Sequence, residues 1–239
     1  MATKDSTTLD AKIPVTAKNA ADENSATKDF IGRSCVDCGS CACDEGTGKY
    51  PEFCATTAAD PALIDEVRKL YTEDEGNART TKNAALVEAE YYCQMTRVEE
   101  IAEFARRMGF KTIGIATCVG LIREARAAAA IFRAKGFQVE SIACKAGAQP
   151  KTSVGIDPKC EEVGVNMCNP ILQAKTLNKA GTNLNVVIGL CVGHDSLFYK
   201  YSEALVTTLV TKDRVLGHNP CAALYQTNTY YSRLLNPAE

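Results

Sequence analysis

The chain has 239 residues, 46% of them hydrophobic, enough for one large core with a small appended module and too little for two large domains. Its formal net charge is -2 with no long run of Lys or Arg, which argues against nucleic acid and against an anionic membrane surface as partners. The first thirty residues lack a signal-like apolar stretch and no segment reaches membrane-spanning length, so a cytoplasmic location is expected, where twelve cysteines point to metal or redox chemistry rather than to a disulfide framework.

Residues 1–30 are rich in Ala, Thr, Lys and Asp and are expected to form a flexible tail, because they offer too little apolar surface to offset their ordering entropy. A cysteine-rich module follows over 31–81. In SCVDCGSCACDEG, residues 34–46, Cys35, Cys38 and Cys41 form C-x2-C-x2-C, with Cys43 or Cys54 available as a fourth ligand. Turn-spaced thiolates of this kind converge on one centre without help from the rest of the fold, as in iron-sulfur sites. Cys38-Gly39 also suits a zinc knuckle, and Ala55 stands where the fourth ferredoxin cysteine is often followed by proline, so iron-sulfur and zinc both stay open. Asp60 and Pro61 then open a short helix to about Tyr71.

The α/β domain is expected over 82–239. A helical region spans Thr81 to Met108, divisible at a capping box of Thr96 and Glu99 and stopped by Gly109; Cys93 falls in its pattern and reads as a packing residue. From residue 110, short apolar runs alternate with helices: strand 111–118, helix 121–135, strand 137–144, helix 170–180 after Asn169, strand 185–191, a short helix 195–202, strand 205–211 and a closing helix 220–235. That alternation predicts an α/β fold with a mainly parallel, Rossmann-like sheet and helices on both faces. The segment 145–168, which carries Cys160 and Cys168, reads as a long irregular loop.

In such sheets ligands bind outside the carboxyl ends of the strands. Cys118, Cys144 and Cys191 each end a predicted strand, and Cys168 and Cys221 lie beside the Asn-Pro pairs that start helices. The two histidines stand three residues from a cysteine, His194 after Cys191 and His218 before Cys221, spacings that suit metal ligation. A second site is therefore expected at this edge from Cys118, Cys191, His194, His218 and Cys221, with Cys144, Cys160 or Cys168 nearby. Cys-Val-Gly recurs at 118 and 191, at the turn from strand to helix each time.

CVDCGSCAC near the start, ATCVGL in the middle and GLCVGHDSLF with VLGHNPCAALY towards the end resemble a family of uncharacterised, cysteine-rich bacterial and archaeal proteins, a domain of unknown function described as predicted metal-binding. The resemblance covers residues 33–235. It implies metal binding. With the iron-sulfur cluster or zinc that the cysteine spacings allow, the roles open to a binding module are electron carrier, metal sensor and metal store, the first calling for a redox partner protein. GLCVGHD, residues 189–195, also resembles the nucleophile elbow of class I glutamine amidotransferases, which would make Cys191 the nucleophile of a thiol enzyme. That family's histidine comes much later and is followed at two residues by a glutamate, whereas His218 is followed by Asn219 and Pro220. No dinucleotide fingerprint and no phosphate-binding Walker loop is found.

Overall fold

The computed structural model describes residues 32–236. The expected flexible tail, 1–30, lies outside them. The chain divides into two compact units, with the boundary between Glu66 and Val67.

In the first unit, a 3-10 turn over Cys35–Asp37 is closed by Asp37, whose Oδ2 accepts the Ser34 N–H at 2.7 Å. Helix α1 is Ala42–Glu45 and helix α2 is Ala55–Ala58, entered through Cys41 and Cys54. Cys41 takes the left-handed conformation, φ +47°, uncommon for a side chain with a Cβ. Helix α3, Pro61–Glu73, starts after Asp60, which accepts the Ala62 N–H at 2.9 Å, and carries the boundary between the units.

In the second unit, α4 is Glu75–Tyr91, capped by Asp74. Cys93 lies beyond its end, exposed and at φ +56°, in the turn that Gln94 N–H closes onto Tyr91 O. It is therefore not the core-packing helical residue expected, because the chain reverses direction there. Helix α5, Arg97–Arg107, begins at the anticipated capping box, with Thr96 N–H donating to Glu99 Oε2 at 2.9 Å. Thr96→Ala is expected to cost about 1 kcal/mol in chemical denaturation, the usual worth of such a cap. Arg107 ties α4 to α5 through Glu90 and Glu103, and the Arg106 guanidinium, with Arg107 beside it, holds the Glu103 carboxyl down at about 2.

Four strands follow: β1 Thr112–Thr117, β2 Gln138–Ala143, β3 Leu184–Ile188 and β4 Leu205–Val210. All pair in parallel, in the order β2-β1-β3-β4. The expected α/β architecture is the observed one. Both central strands are almost wholly buried, as a sheet covered by helices requires, and the outer two are half exposed. Helix α6, Ile122–Ala134, buries Ala125, Ala128, Ala129 and Phe132 at helical spacing against β1 and β2. Helix α7, Pro170–Lys179, packs on β1 and β2 and against α8, His194–Tyr201, through Ala174 and Leu177 among others. Arg97 donates to Thr208 O at 2.9 Å and Thr207 Oγ1 at 3.0 Å, occupying part of the open edge of β4.

Two further expectations need correction. The closing helix 220–235 is a single turn, α9 Cys221–Leu224, followed by turns and a 3-10 segment at Ser232–Leu234. Thr227 and Thr229 donate from their hydroxyls to Leu224 O and Gln226 O, an arrangement that competes with helix propagation. The loop 145–168 is not irregular throughout, since 3-10 turns occupy Lys151–Val154 and Pro158–Val163 and a bridge joins Pro150 to Asn166.

Candidate functional site: a thiol chain at the carboxyl edge of the sheet

The strand order reverses direction between β1 and β3, so the carboxyl ends of these two strands flank the switch point where such sheets bind ligands. The ladder continues past both formal ends of the β1-β2 pair. Cys144 N–H donates to Thr117 O at 2.8 Å, and the register Thr117↔Ala143 sets Cys118 opposite Cys144. Cys118 keeps an extended backbone and shares the alternation of Gly114, whose missing Cβ faces Leu177 of α7. Both thiols are buried, at 8% and 3% exposure.

Cys168 arrives from the loop. Asn169 N–H donates to Cys144 O at 2.7 Å, Met167 N–H to Gln149 O at 2.8 Å and Lys151 N–H to Val165 O at 3.0 Å, while the Lys145 ammonium donates to Asn166 O. Asn169 then caps α7 through the Leu172 N–H at 3.0 Å. Thus the loop's end folds back onto its beginning and sets Cys168 against Cys144. Cys168 also meets His194, the first residue of α8. The side chains follow one another as electrostatic neighbours: Cys118 with Cys144, Cys144 with Cys168, Cys168 with His194.

Backbone donors line the same edge. Val119 N–H points at Cys144 Sγ, 3.3 Å, and Gly120 N–H at Cys118 Sγ, 3.4 Å. The hydrogen bond from Cys144, then the Gly120 N–H and Lys212, bring Cys118 down to about 5 against the opposing effect of burial. Cys168 is brought down to about 4 by Cys144 first, then His194, with Lys145 adding to them. Cys144 is pushed up, since it holds the proton that both neighbours draw on and is itself buried. His194 is raised by Cys168, against burial. Its imidazole is close enough for that charge pairing, yet Nδ1 is buried and carries no hydrogen bond of good geometry.

Cys191 Sγ lies 3.0 Å from Arg214 Nη2, and the same guanidinium senses the charges of Cys118 and Cys168. Around it the positive φ angles fall on Gly189, +65°, and Gly193, +82°, and not on the cysteine. A Cβ on Gly189 would stand 2.6 Å from Leu121, so this glycine is what lets β3 pass the turn after β1. His218 closes the turn after β4, its Nδ1 accepting from Asp213 N–H at 3.1 Å, and Cys221 is exposed at the start of α9. Among the described residues, no contact joins either to the chain. In the first unit, Cys38 is lowered by the Ser40 hydroxyl and the N–H groups of Cys41 and Ser40. Burial opposes but does not cancel the lowering of Cys54 by the Thr56 hydroxyl and the Thr56 and Thr57 N–H groups, and Cys54 also senses the charge of Cys38. Cys35, Cys41 and Cys43 are exposed. Among the described residues, no three His, Cys, Asp or Glu side chains close into a group arranged to hold a metal ion.

Three residues at this edge escape a motif search. Gln173 is fully buried and its Nε2 donates to Thr117 O at 3.1 Å and Ile142 O at 2.8 Å, locking together the strand ends that carry Cys118 and Cys144. The one signal for it is a glutamine on the apolar face of α7. Lys212 and Arg214 reach the thiols from the end of β4, where a charged pair directly after an apolar strand is the corresponding mark. A cavity of about 690 Å³ lies elsewhere, bounded by α4, α5 and the starts of β3 and β4, including Leu184 and Leu205, and so opens at the opposite end of the sheet from the thiols.

A family described as protein of unknown function (DUF1847) matches residues 54–209. The chain belongs to this family. A relative within reach is an uncharacterized protein of Methanocaldococcus jannaschii, 44% identical over 173 residues, covering 72% of this chain and 86% of that protein. The DUF1847 match takes in Cys118, Cys144, Cys168, Cys191 and His194, while Cys35, Cys38, Cys41, Cys43, His218 and Cys221 fall outside its bounds. No helix among the described residues is long and apolar enough to cross a membrane.

Proposed function

We propose that this is a metal-binding protein whose principal centre takes a zinc-class ion at the carboxyl edge, through Cys118, Cys144, Cys168 and His194. The observation that carries the reading is the gathering of three buried or half-buried thiols at the ends of β1, β2 and the 145–168 loop, each with the next as electrostatic neighbour, beside His194, whose buried Nδ1 has no hydrogen-bond partner. Three thiolates and one imidazole are the donor set of a closed tetrahedral zinc site. A bound ion supplies positive charge to sulfurs that Val119 and Gly120 N–H already steady. Side-chain rotation that draws these donors together is part of binding. A second centre, zinc or an iron-sulfur cluster, belongs to the first unit through Cys38 and Cys54 with Cys35, Cys41 or Cys43. The protein then serves in the cytoplasm as a metal sensor or store, or as an electron carrier with a redox partner protein if the second centre is a cluster.

The test is a cobalt titration of chelator-treated full-length protein, with zinc back-titration. Intense thiolate-to-cobalt absorption that zinc abolishes, and that the Cys168→Ser variant loses in part, is the expected result. Titration without such absorption in protein purified and handled anaerobically refutes the carboxyl-edge centre.

A further inference from the structure

We propose that Cys118, Cys144 and Cys168 form a disulfide relay, in which Cys168 accepts oxidising equivalents from a small carboxylate-bearing disulfide and passes them inward to a cross-strand bond between Cys144 and Cys118. This goes beyond metal binding and does not depend on it.

The geometry supplies each part. Adjacent strands stand about 4.8 Å apart, inside the roughly 4.4 to 6.8 Å that disulfides span between Cα atoms. The register places Cys118 and Cys144 directly opposite, with side chains on one face, and Gln173 holds the two strand ends at that spacing. All three thiols are free. Cys144 is the middle member: it stands opposite Cys118 one step past the Thr117↔Ala143 pair, and its carbonyl accepts the N–H of Asn169, the residue after Cys168, so both other thiols border it. Exposure sets the direction: Cys118 and Cys144 are buried and Cys168 is partly open to solvent. The substrate class follows from the rim. Lys145 acts on Cys168, Lys212 stands at Cys118, and Arg214 lies over Cys191, against Asp195, acting on His194, and Asp213, which lies between Lys212 and Arg214 and accepts the Val215 and Leu216 N–H groups. A net positive entrance favours a slender disulfide with carboxylates over a neutral one.

The steps balance. The Cys168 sulfur attacks one sulfur of R–S–S–R, forming the mixed disulfide and releasing RS⁻, which takes up a proton. Cys144, giving its proton to solvent, attacks the Cys168 sulfur and expels the second RS⁻. Cys118 then attacks the Cys144 sulfur, the Cys144–Cys168 bond breaks, and Cys168 is regenerated as a thiolate. Two protein thiols are oxidised and one external disulfide is reduced to two thiols. Because the regenerated Cys168 still borders the new bond, the same steps run in reverse under excess thiol.

The experiment uses the full chain, treated with chelator and kept metal-free, with glutathione disulfide as the probe and 2-hydroxyethyl disulfide as the neutral comparison, followed by alkylation and mass-spectrometric mapping of cross-linked peptides. A Cys118–Cys144 cross-link is expected to form, at least tenfold faster with glutathione disulfide than with the neutral compound at equal reactivity toward a free thiol. Cys168→Ser slows it tenfold or more, Cys118→Ser stops at a Cys144–Cys168 cross-link, and Cys93→Ser changes nothing. Absence of the 118–144 cross-link in the wild-type protein, or its formation at the wild-type rate in Cys168→Ser, overturns the relay. Protein that binds zinc without forming the cross-link loses the relay alone; protein that forms it without binding zinc loses the metal reading alone.

Discussion

Replacing Cys144 with serine is expected to remove one tight equivalent of zinc, weakening that site at least a hundredfold, while the fold stays intact. Cys144 borders Cys118 across the β1-β2 pair and Cys168 through the Asn169 N–H, so its loss leaves Cys118 on one side and Cys168 with His194 on the other, without the sulfur that relates them. Serine is nearly isosteric and its oxygen still accepts the Val119 N–H that now reaches Sγ at 3.3 Å, so the strand end needs no rebuilding. A hydroxyl does not ionise near neutral pH and is a poor ligand for a zinc-class ion, whose preferred donors are thiolate and imidazole. A hundredfold change corresponds to about 2.7 kcal/mol. Competition against a chromophoric zinc chelator measures it, with Cys93→Ser as the control, since Cys93 is exposed in the turn after α4. Affinity within threefold of the parent protein would refute the assignment. A loss of the circular-dichroism signal alongside the affinity would mean that the residue supports the fold, and Cys168→Ser, altered on the loop instead of the strand, then decides the question.

Gly114→Ala is expected to be the most damaging small substitution in β1. A Cβ there would stand 2.1 Å from Asn185 Oδ1, 3.0 Å from Leu177 Cδ1 and 3.1 Å from Thr182 Cγ2. Asn185 has no room to yield. It is fully buried, its Oδ1 accepts from Thr182 Oγ1 at 2.8 Å and its Nδ2 donates to Ser202 Oγ at 2.9 Å, while Ser202 passes its own proton to Ala204 O. Relief of the overlap therefore breaks buried hydrogen bonds or shifts β1 away from β3. Overpacking and an orphaned polar group together are expected to cost about 3 kcal/mol, which for a chain of this length lowers the melting temperature by about 6 to 12 °C. Calorimetry reads this directly. Adding Asn185→Ala should recover part of the loss, because the two side chains compete for one volume; melting within 1 °C of the parent by the single variant would contradict the packing described.

The strands were legible because each is a short apolar run that ends in a cysteine or a turn, and α7 because Asn169 and Pro170 cap and start it in one dipeptide. The capping box at Thr96 and Glu99 divided α4 from α5 in the same way. The end of the closing helix is not legible, because LYQTNTYY has no Gly or Pro to stop it, and the stop comes from threonine hydroxyls bonding back to the chain. At the candidate site, the gathering of thiols at strand ends was legible and their partners were not. Cys118 has a parallel neighbour on both sides, but it stands opposite Cys144 in β2 and opposite Gly189 in β3, so Cys191 falls two residues beyond reach of the same rung. That offset depends on pairing register, which the Cys-Val-Gly repeat does not encode. His194 turned to Cys168, not to Cys191 three residues before it, because the loop 145–168 brings a distant thiol to the helix start.

That loop is pinned in pairs near its base, Asn169 to Cys144, Met167 to Gln149 and Lys151 to Val165. What lies between, the segment 152–163, is mostly exposed and hangs from a closed neck. Lengthening or shortening a loop held at its neck changes closure entropy only logarithmically, with each doubling worth about 0.6 kcal/mol. Relatives are therefore free to differ in the length and composition of this outgrowth, even to carry an inserted module there, while the thiol at its root keeps its place beside the sheet.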